Sequence, residues 1–302
     1  MPEGRGPDRP GARDGARDCR GAAPLLGWPI VCPSPAANRH GTRHARLATS
    51  RPGTGRPAWP RARFIAGGTL IQQEWDEPRL APRDVCYINI QHWPETWPIT
   101  LEAGTLRIGA GARLEAVRRH PLVGTHAPLL AEAIAQLGAL GVRHLGTLGG
   151  NIGWGMGDAA PVLLALDAEA ELADGRREPL AQTLQRPVRP LMVAFHLPRA
   201  DRHGAVHAVF EKVGYRAAFS PARLRMALRW HDAGRGCALS HAAVAAPDLP
   251  VRRLAAVEAL LARTSPNLAT LRAACLADAL PPPLAAIASR LIAGHCGLLT
   301  PP

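Results

Sequence analysis

From Arg63 onward apolar residues alternate with polar ones or recur at helical spacing, whereas before Arg63 they do neither. Phe64-Ile65-Ala66 reads as a short strand running into the glycine pair Gly67-Gly68, and Val85–Ile90 reads as a second strand. Leu106, Ile108 and Ala110 alternate with Arg107 and Gly109, which predicts a third strand ending before Gly111. Over Leu129–Leu140 the period lengthens: Leu130, Ile134, Leu137 and Gly141 share one helical face, and the helix is expected to stop near Gly138–Gly141. A second glycine-rich turn, Thr147-Leu148-Gly149-Gly150-Asn151, follows directly. Ala159–Leu166 then reads as helix with Pro161 in its first turn, Ala168–Leu172 as strand, and Asp174-Gly175 as the hairpin turn leaving it.

Beyond Pro198 a second unit begins. Ala205–Val213 and Cys237–Ala245 read as strands, and Pro221–Trp230 fits either strand or helix. Val251–Arg263 and Leu284–Cys296 each carry leucines and alanines on one stripe and read as helices. The organisation expected is therefore an Arg/Pro/Gly-rich segment over 1–62 without regular structure, an α/β unit over 63–198 and an α+β unit over 199–302.

Composition changes this picture little. With 302 residues, 47% of them hydrophobic, the chain is long enough for two ordinary cores. No apolar run approaches the roughly 18 residues that cross a bilayer, and Pro24, Gly27 and Pro29 interrupt the apolar stretch nearest the N-terminus, so neither a membrane span nor a signal peptide is expected. The formal charge of +12 is concentrated in residues 1–63, which hold twelve arginines against four acids. No aromatic interleaving or nucleic-acid motif accompanies it, so a nucleic-acid partner is not expected. The six cysteines are scattered without a CxxC pair, which speaks against a metal or cluster site and for ordinary thiols in a reducing cytoplasm.

The candidate chemistry lies in the glycine turns. A turn that lays successive N–H groups against a pyrophosphate needs residues with no Cβ in the way, and Ala66-Gly67-Gly68-Thr69 and Thr147-Leu148-Gly149-Gly150-Asn151 both qualify. Neither fits the GxGxxG or GxxxxGK[ST] spacing of the common nucleotide loops. Lys212 is a third candidate: it is the single lysine among 36 basic residues, in Phe210-Glu211-Lys212-Val213-Gly214-Tyr215-Arg216. A compact ammonium there serves as a point charge, or is a solvated surface residue.

In their order, these turns, Ile108-Gly109-Ala110-Gly111-Ala112, Val142-Arg143-His144-Leu145-Gly146, Gly157-Asp158 and Leu163–Ala168 resemble the FAD-binding subunit of molybdenum hydroxylases, the xanthine dehydrogenase and carbon monoxide dehydrogenase flavoproteins. The resemblance runs from about Arg63 to the C-terminus. It implies an α+β fold: a two-lobed FAD-binding domain of the vanillyl-alcohol oxidase type, followed by a smaller α+β C-terminal domain. It implies FAD as cofactor, with Ala66, Gly67, Gly68 and Thr69 as one wall of the pyrophosphate site and Thr147, Gly149, Gly150 and Asn151 as the other. Asp158 would bond hydroxyls of the cofactor or cap the helix at Ala159, and Lys212 would be the catalytic cation beside the flavin ring. Trp154 and Met156 would line the flavin or pack in the core, with the core favoured, and Arg216 would serve in the same way as Lys212 or lie on the surface, with the surface favoured. The implied partners are a molybdopterin-containing large subunit, a [2Fe-2S] small subunit and NAD+ or another electron acceptor. Two departures stand out: Leu70 occupies a place where the family usually has aspartate, and residues 1–63 do not read as the strand and helix with which the family begins.

Overall fold

The structure is a computed structural model that describes residues 46–48, 62–75, 82, 85–198, 206–216, 220–232 and 237–299. It is an α+β arrangement in which three sheets follow one another along the chain. The first is parallel: β1 (Arg46–Ala48) and β2 (Ala62–Ile65) flank β3 (Cys86–Asn89). Thus a strand exists inside the segment expected to lack regular structure; it is three residues long and gets its order from pairing with β3, which leaves no periodic signature. The rest of the expectation for 1–62 falls almost wholly outside the described residues.

The second sheet, antiparallel, comprises β4 (Ile99–Glu102), β5 (Thr105–Gly109), β6 (Glu169–Leu172), β7 (Arg177–Pro179) and β8 (Met192–Leu197) in the order β4-β5-β8-β6-β7. Asp174-Gly175 makes the expected turn between β6 and β7, with Gly175 at φ 86°. The third, also antiparallel, comprises β9 (Val206–Gly214), β10 (Ala222–Asp232), β11 (Cys237–Ala246) and β12 (Leu249–Arg253) in sequential order.

Between β5 and β6 run α1 (Leu114–Arg119), α2 (Pro121–His126), α3 (Pro128–Ala135), α4 (Leu140–Leu145), α5 (Leu148–Trp154) and α6 (Ala159–Ala165); α7 (Leu180–Gln185) precedes β8. The helix expected over Leu129–Leu140 ends earlier, at Ala135, and Gly141 lies inside α4 rather than stopping a helix. Gly138, at φ 50°, breaks the path, and the chain restarts from the extended Ala139. After β12 come α8 (Ala255–Leu261), α9 (Leu268–Ala277) and α10 (Pro282–His295). Two expectations are corrected here. The first part of Val251–Arg263 is strand, because a hairpin turn at Asp248 (φ 59°) returns the chain along β11 and buries Val251. Helix α9 had no counterpart in the sequence reading. Among the described residues no helix is long and apolar enough to cross a membrane.

Helix α6 organises the centre. All seven of its residues are buried, the mark of a helix surrounded on every side. It packs against α3 on one side and against β10, β11 and β12 on the other. The third sheet alternates accordingly: Leu224, Met226 and Leu228 face a core roofed by α8, α9 and α10, while Ala227, Ala243 and Ala245 join the core around α6. The odd positions of β10, Arg225 among them, thus stand on the α6 side.

Two carboxylates brace the unit over residues 63–198. Glu115 of α1, buried, accepts from Arg118, Arg119 and, across to α4, Arg143, whose Nε lies 2.9 Å away. Arg143 also donates to the carbonyls of Leu137 and Gly138, fixing the turn between α3 and α4. On the sheet Glu171 accepts from His196 at 2.7 Å and Arg107 at 3.2 Å. The hydrogen bonds from Arg118 and Arg143 hold the Glu115 carboxyl well below the usual carboxylate range; burial opposes the charge on Glu171, but His196 and Arg107 together keep its pKa lowered. A carboxyl whose folded pKa is depressed adds stability above its unfolded pKa, about 4.3, and that stability is lost as pH falls through the lower folded value. Thermal unfolding followed from pH 7 downward is therefore expected to show a steady Tm until about pH 4.5 and a decline below it. Replacing Glu171 by Gln should flatten that decline, and an unchanged acid limb would remove this account.

Candidate functional site

Strand β2 delivers the first glycine turn. The Ala66 carbonyl accepts from the Gln91 side chain, and the chain then reverses through Gly68, at φ 70°, into the short 3-10 turn Ile71–Glu74. Gln72 N–H and the Gln73 side chain close back on the carbonyls of Gly68 and Thr69 at 3.1 and 3.0 Å. The N–H groups of Gly67, Gly68 and Thr69 donate to no acceptor among the described residues.

The second glycine segment is the first turn of α5, not a loop. Thr147 is its N-cap, with Oγ1 accepting from Gly150 N–H at 3.1 Å. Leu148 donates to the Ala112 carbonyl, Gly149 to Ala110 at 2.7 Å, and Asn151 to Thr147. The expected row of amides is therefore already engaged, because this segment docks onto the end of β5. A Cβ on Gly149 would stand 2.7 Å from that of Ala110, so what this wall offers is a close, bare backbone. The two segments meet at Gly67, where a Cβ would overlap the Leu145 carbonyl and press on Gly146.

Asn151 and Asp158 exchange their expected parts. The Asn151 side-chain oxygen accepts from Ala159 N–H at 3.1 Å and so caps α6, whereas the Asp158 side chain makes no capping bond. Its carboxylate, 5% exposed, is shared by two cations: Lys212 Nζ at 2.6 Å and Arg225 Nε. Lys212 donates also to the Gln136 carbonyl at 2.8 Å and is no solvated surface residue. Arg216 is exposed, as expected. Trp154 is not a core residue: it is 41% exposed and lies on the site, whereas Met156 is half-buried away from it. Burial pushes the Cys275 thiol up to about 12, so it stays protonated in the core.

These groups enclose one cavity of about 990 Å³. All ten site residues expected from the sequence line it: Ala66, Gly67, Gly68, Thr69, Thr147, Gly149, Gly150, Asn151, Asp158 and Lys212. Phe64, Ile90, Leu137 and Val142 add apolar surface. Sequence reasoning missed Arg225 and the segment Pro187–Met192, including Arg189, which donates to the Gly153 carbonyl at 2.9 Å. The parity of Arg225 with Ala227 was a signal for the first; nothing in the residue pattern marked the second.

Residues 55–199 match the family described as FAD binding domain in molybdopterin dehydrogenase. Residues 55–199 thus carry the sequence pattern of this family. Among curated relatives, the nicotinate dehydrogenase FAD-subunit of Eubacterium barkeri is 32% identical over 37% of this chain and 38% of its own length. The xanthine dehydrogenase FAD-binding subunit of Escherichia coli O157:H7 is 33% identical over 39% of this chain and 40% of its own. The chain thus spans well under half the length of these two. Among solved structures, a chain of carbon monoxide dehydrogenase from Hydrogenophaga pseudoflava aligns at TM-score 0.60 and 25% identity, over 70% of this chain and 76% of that one. A chain of reconstituted CO dehydrogenase from Oligotropha carboxidovorans shares the fold, with TM-score 0.65 and 19% identity over 78% and 88%.

The contact at Gly67 is backbone on backbone, so neither side can swing away. Gly67→Ala is expected to destabilise the fold by about 1–3 kcal/mol, the usual cost of overpacking. Urea unfolding measures it, and a variant as stable as the wild type would show that the two glycine segments do not touch.

Proposed function

We propose that the chain is the FAD-binding electron-transfer subunit of a molybdenum hydroxylase, with the cavity between the glycine segments as its flavin site. The observation that carries this reading is that the N–H groups of Gly67, Gly68 and Thr69 meet no acceptor among the described residues, on residues lining a cavity that Gly149 and Gly150 line as backbone without Cβ atoms. Such donors suit a pyrophosphate, since a hydrogen bond to an anion is about twice as strong as a neutral one. Thr147, Gly149, Gly150 and Asn151 let the same group approach from the other side, and the exchangeable bond is that of Gly150 to the Thr147 hydroxyl. The apolar side chains Phe64, Ile90, Leu137 and Val142 keep water from the ring system. Lys212, held by Asp158 and the Gln136 carbonyl, keeps a positive charge at the flavin.

FAD when bound supplies the hydride and one-electron chemistry that protein side chains lack. On this reading substrate is oxidised on a molybdopterin-containing large subunit, and a [2Fe-2S] small subunit conducts the electrons to this chain. NAD+, a quinone or O2 is the acceptor, and the assembly works in the cytoplasm. The FAD-subunit names of the curated relatives support the division of labour.

Purified chain titrated with FAD is expected to bind one equivalent and to show the visible flavin absorbance band. Lys212→Met should weaken that binding by about tenfold, or ~1.4 kcal/mol. A well-folded chain that takes up no FAD would overturn the proposal in favour of a flavin-free structural subunit.

A further inference from the structure

Lys212 and Arg225 are direct cross-strand partners in the β9–β10 ladder, two cations opposite each other on the face toward α6. Like charges in that register repel, and the Asp158 carboxylate that both grasp offsets only one of them. The cluster therefore holds one surplus positive charge at a place where the Arg225 side chain is 12% exposed. Lys212 spends two of its three N–H donors on Asp158 and the Gln136 carbonyl. Arg225 spends only Nε; its two terminal nitrogens meet no acceptor among the described residues, although the side chain borders the cavity. Those nitrogens are open to a ligand in the cavity, and the planar fork matches an anionic or electron-rich group with adjacent acceptors.

We infer that Arg225 is a cofactor-contacting residue that meets the pyrimidine edge of the flavin ring and favours FAD in its reduced, more negative form. The inference rests on the flavin-site reading above. Its argument is one of complementary donors. The pyrophosphate has the amides of Gly67, Gly68 and Thr69, which meet no acceptor among the described residues, and this leaves the Arg225 fork for the part of FAD that gains negative charge on reduction. Arg225 lies on β10, outside the family-matched residues 55–199, so its presence is a property of this chain's third sheet.

The test compares FAD-loaded wild-type chain with Arg225→Met, Arg225→Gln and Arg225→Lys, reading the flavin midpoint potential by dye equilibration and the affinity for ADP by calorimetry. ADP carries the pyrophosphate without the ring. Met and Gln are expected to lower the two-electron midpoint by about 30 mV, equivalent to a tenfold loss of preference for reduced over oxidised FAD. ADP affinity should stay unchanged, and Lys should restore most of the potential. Gln keeps a hydrogen bond to Asp158 without the charge, so it decides the matter if Met does not fold. An unshifted potential overturns the inference, as does a loss of ADP binding in proportion to FAD. A wild-type chain that binds neither FAD nor ADP would instead remove the flavin-site reading, and this inference with it.

Discussion

Asp158 stands at the head of the one helix that is buried on every side, and its carboxylate is the counter-charge for two cations from neighbouring strands. The position is forced from three directions. Helix α6 must lie between α3 and the third sheet, because its apolar surface is complete; Asn151 fixes its first N–H; and β9 and β10 set Lys212 and Arg225 opposite each other. Breaking a buried ion pair leaves an uncompensated charge at about 3–5 kcal/mol. Here the loss of the carboxylate would strand two. The junction of the second and third sheets and the charge of the cavity are thus one interaction seen from two sides.

The other constraint is the backbone contact of Gly67 with Leu145 and Gly146, which joins the small parallel sheet to the α4–α5 connection. It makes the two glycine segments adjacent, yet it does not make them equivalent. The second segment is bonded along β5 through Ala110 and Ala112, and its donors are used to hold it there. The first follows β2, and the N–H groups of Gly67, Gly68 and Thr69 meet no acceptor among the described residues. The two glycine walls therefore differ: one has backbone donors without an acceptor among the described residues, and the other is bare, engaged backbone. That asymmetry also bears on Leu70. An aspartate at that place would set a negative charge next to the donating wall, where Leu70 lines the cavity with apolar surface instead.

Much of this was legible. Doubled glycines beside strand-like runs marked both walls, and a single lysine in an arginine-rich chain marked the cation, because each is a local departure from composition. The strands around Phe64, Ile88 and Ile108 followed from alternation. What sequence could not give was decided by pairing at a distance. The engaged amides of α5 depend on carbonyls of Ala110 and Ala112, and β12 depends on the hairpin at Asp248. Arg225 is set against Lys212, thirteen residues earlier, only by the register of the two strands. The capping of α6 by Asn151 rather than by Asp158 is of the same kind, since two polar residues compete for one N–H and tertiary charge settles it.

The extent of the similarity to known proteins divides the cavity in the same way. The family match ends at residue 199 and contains both glycine walls and Asp158, while Lys212 and Arg225 lie beyond it. The structural likeness extends over 78% of the chain, further than the sequence likeness. The two glycine walls therefore lie within recognisable sequence, whereas the two cations of the cavity lie beyond it, on the third sheet. A sheet tolerates exchange on any face that packing does not occupy, and position 225 is on a face half taken by alanines. An arginine there can be accommodated because Ala227, Ala243 and Ala245 leave room beside α6, and it is held because Asp158 is already in place.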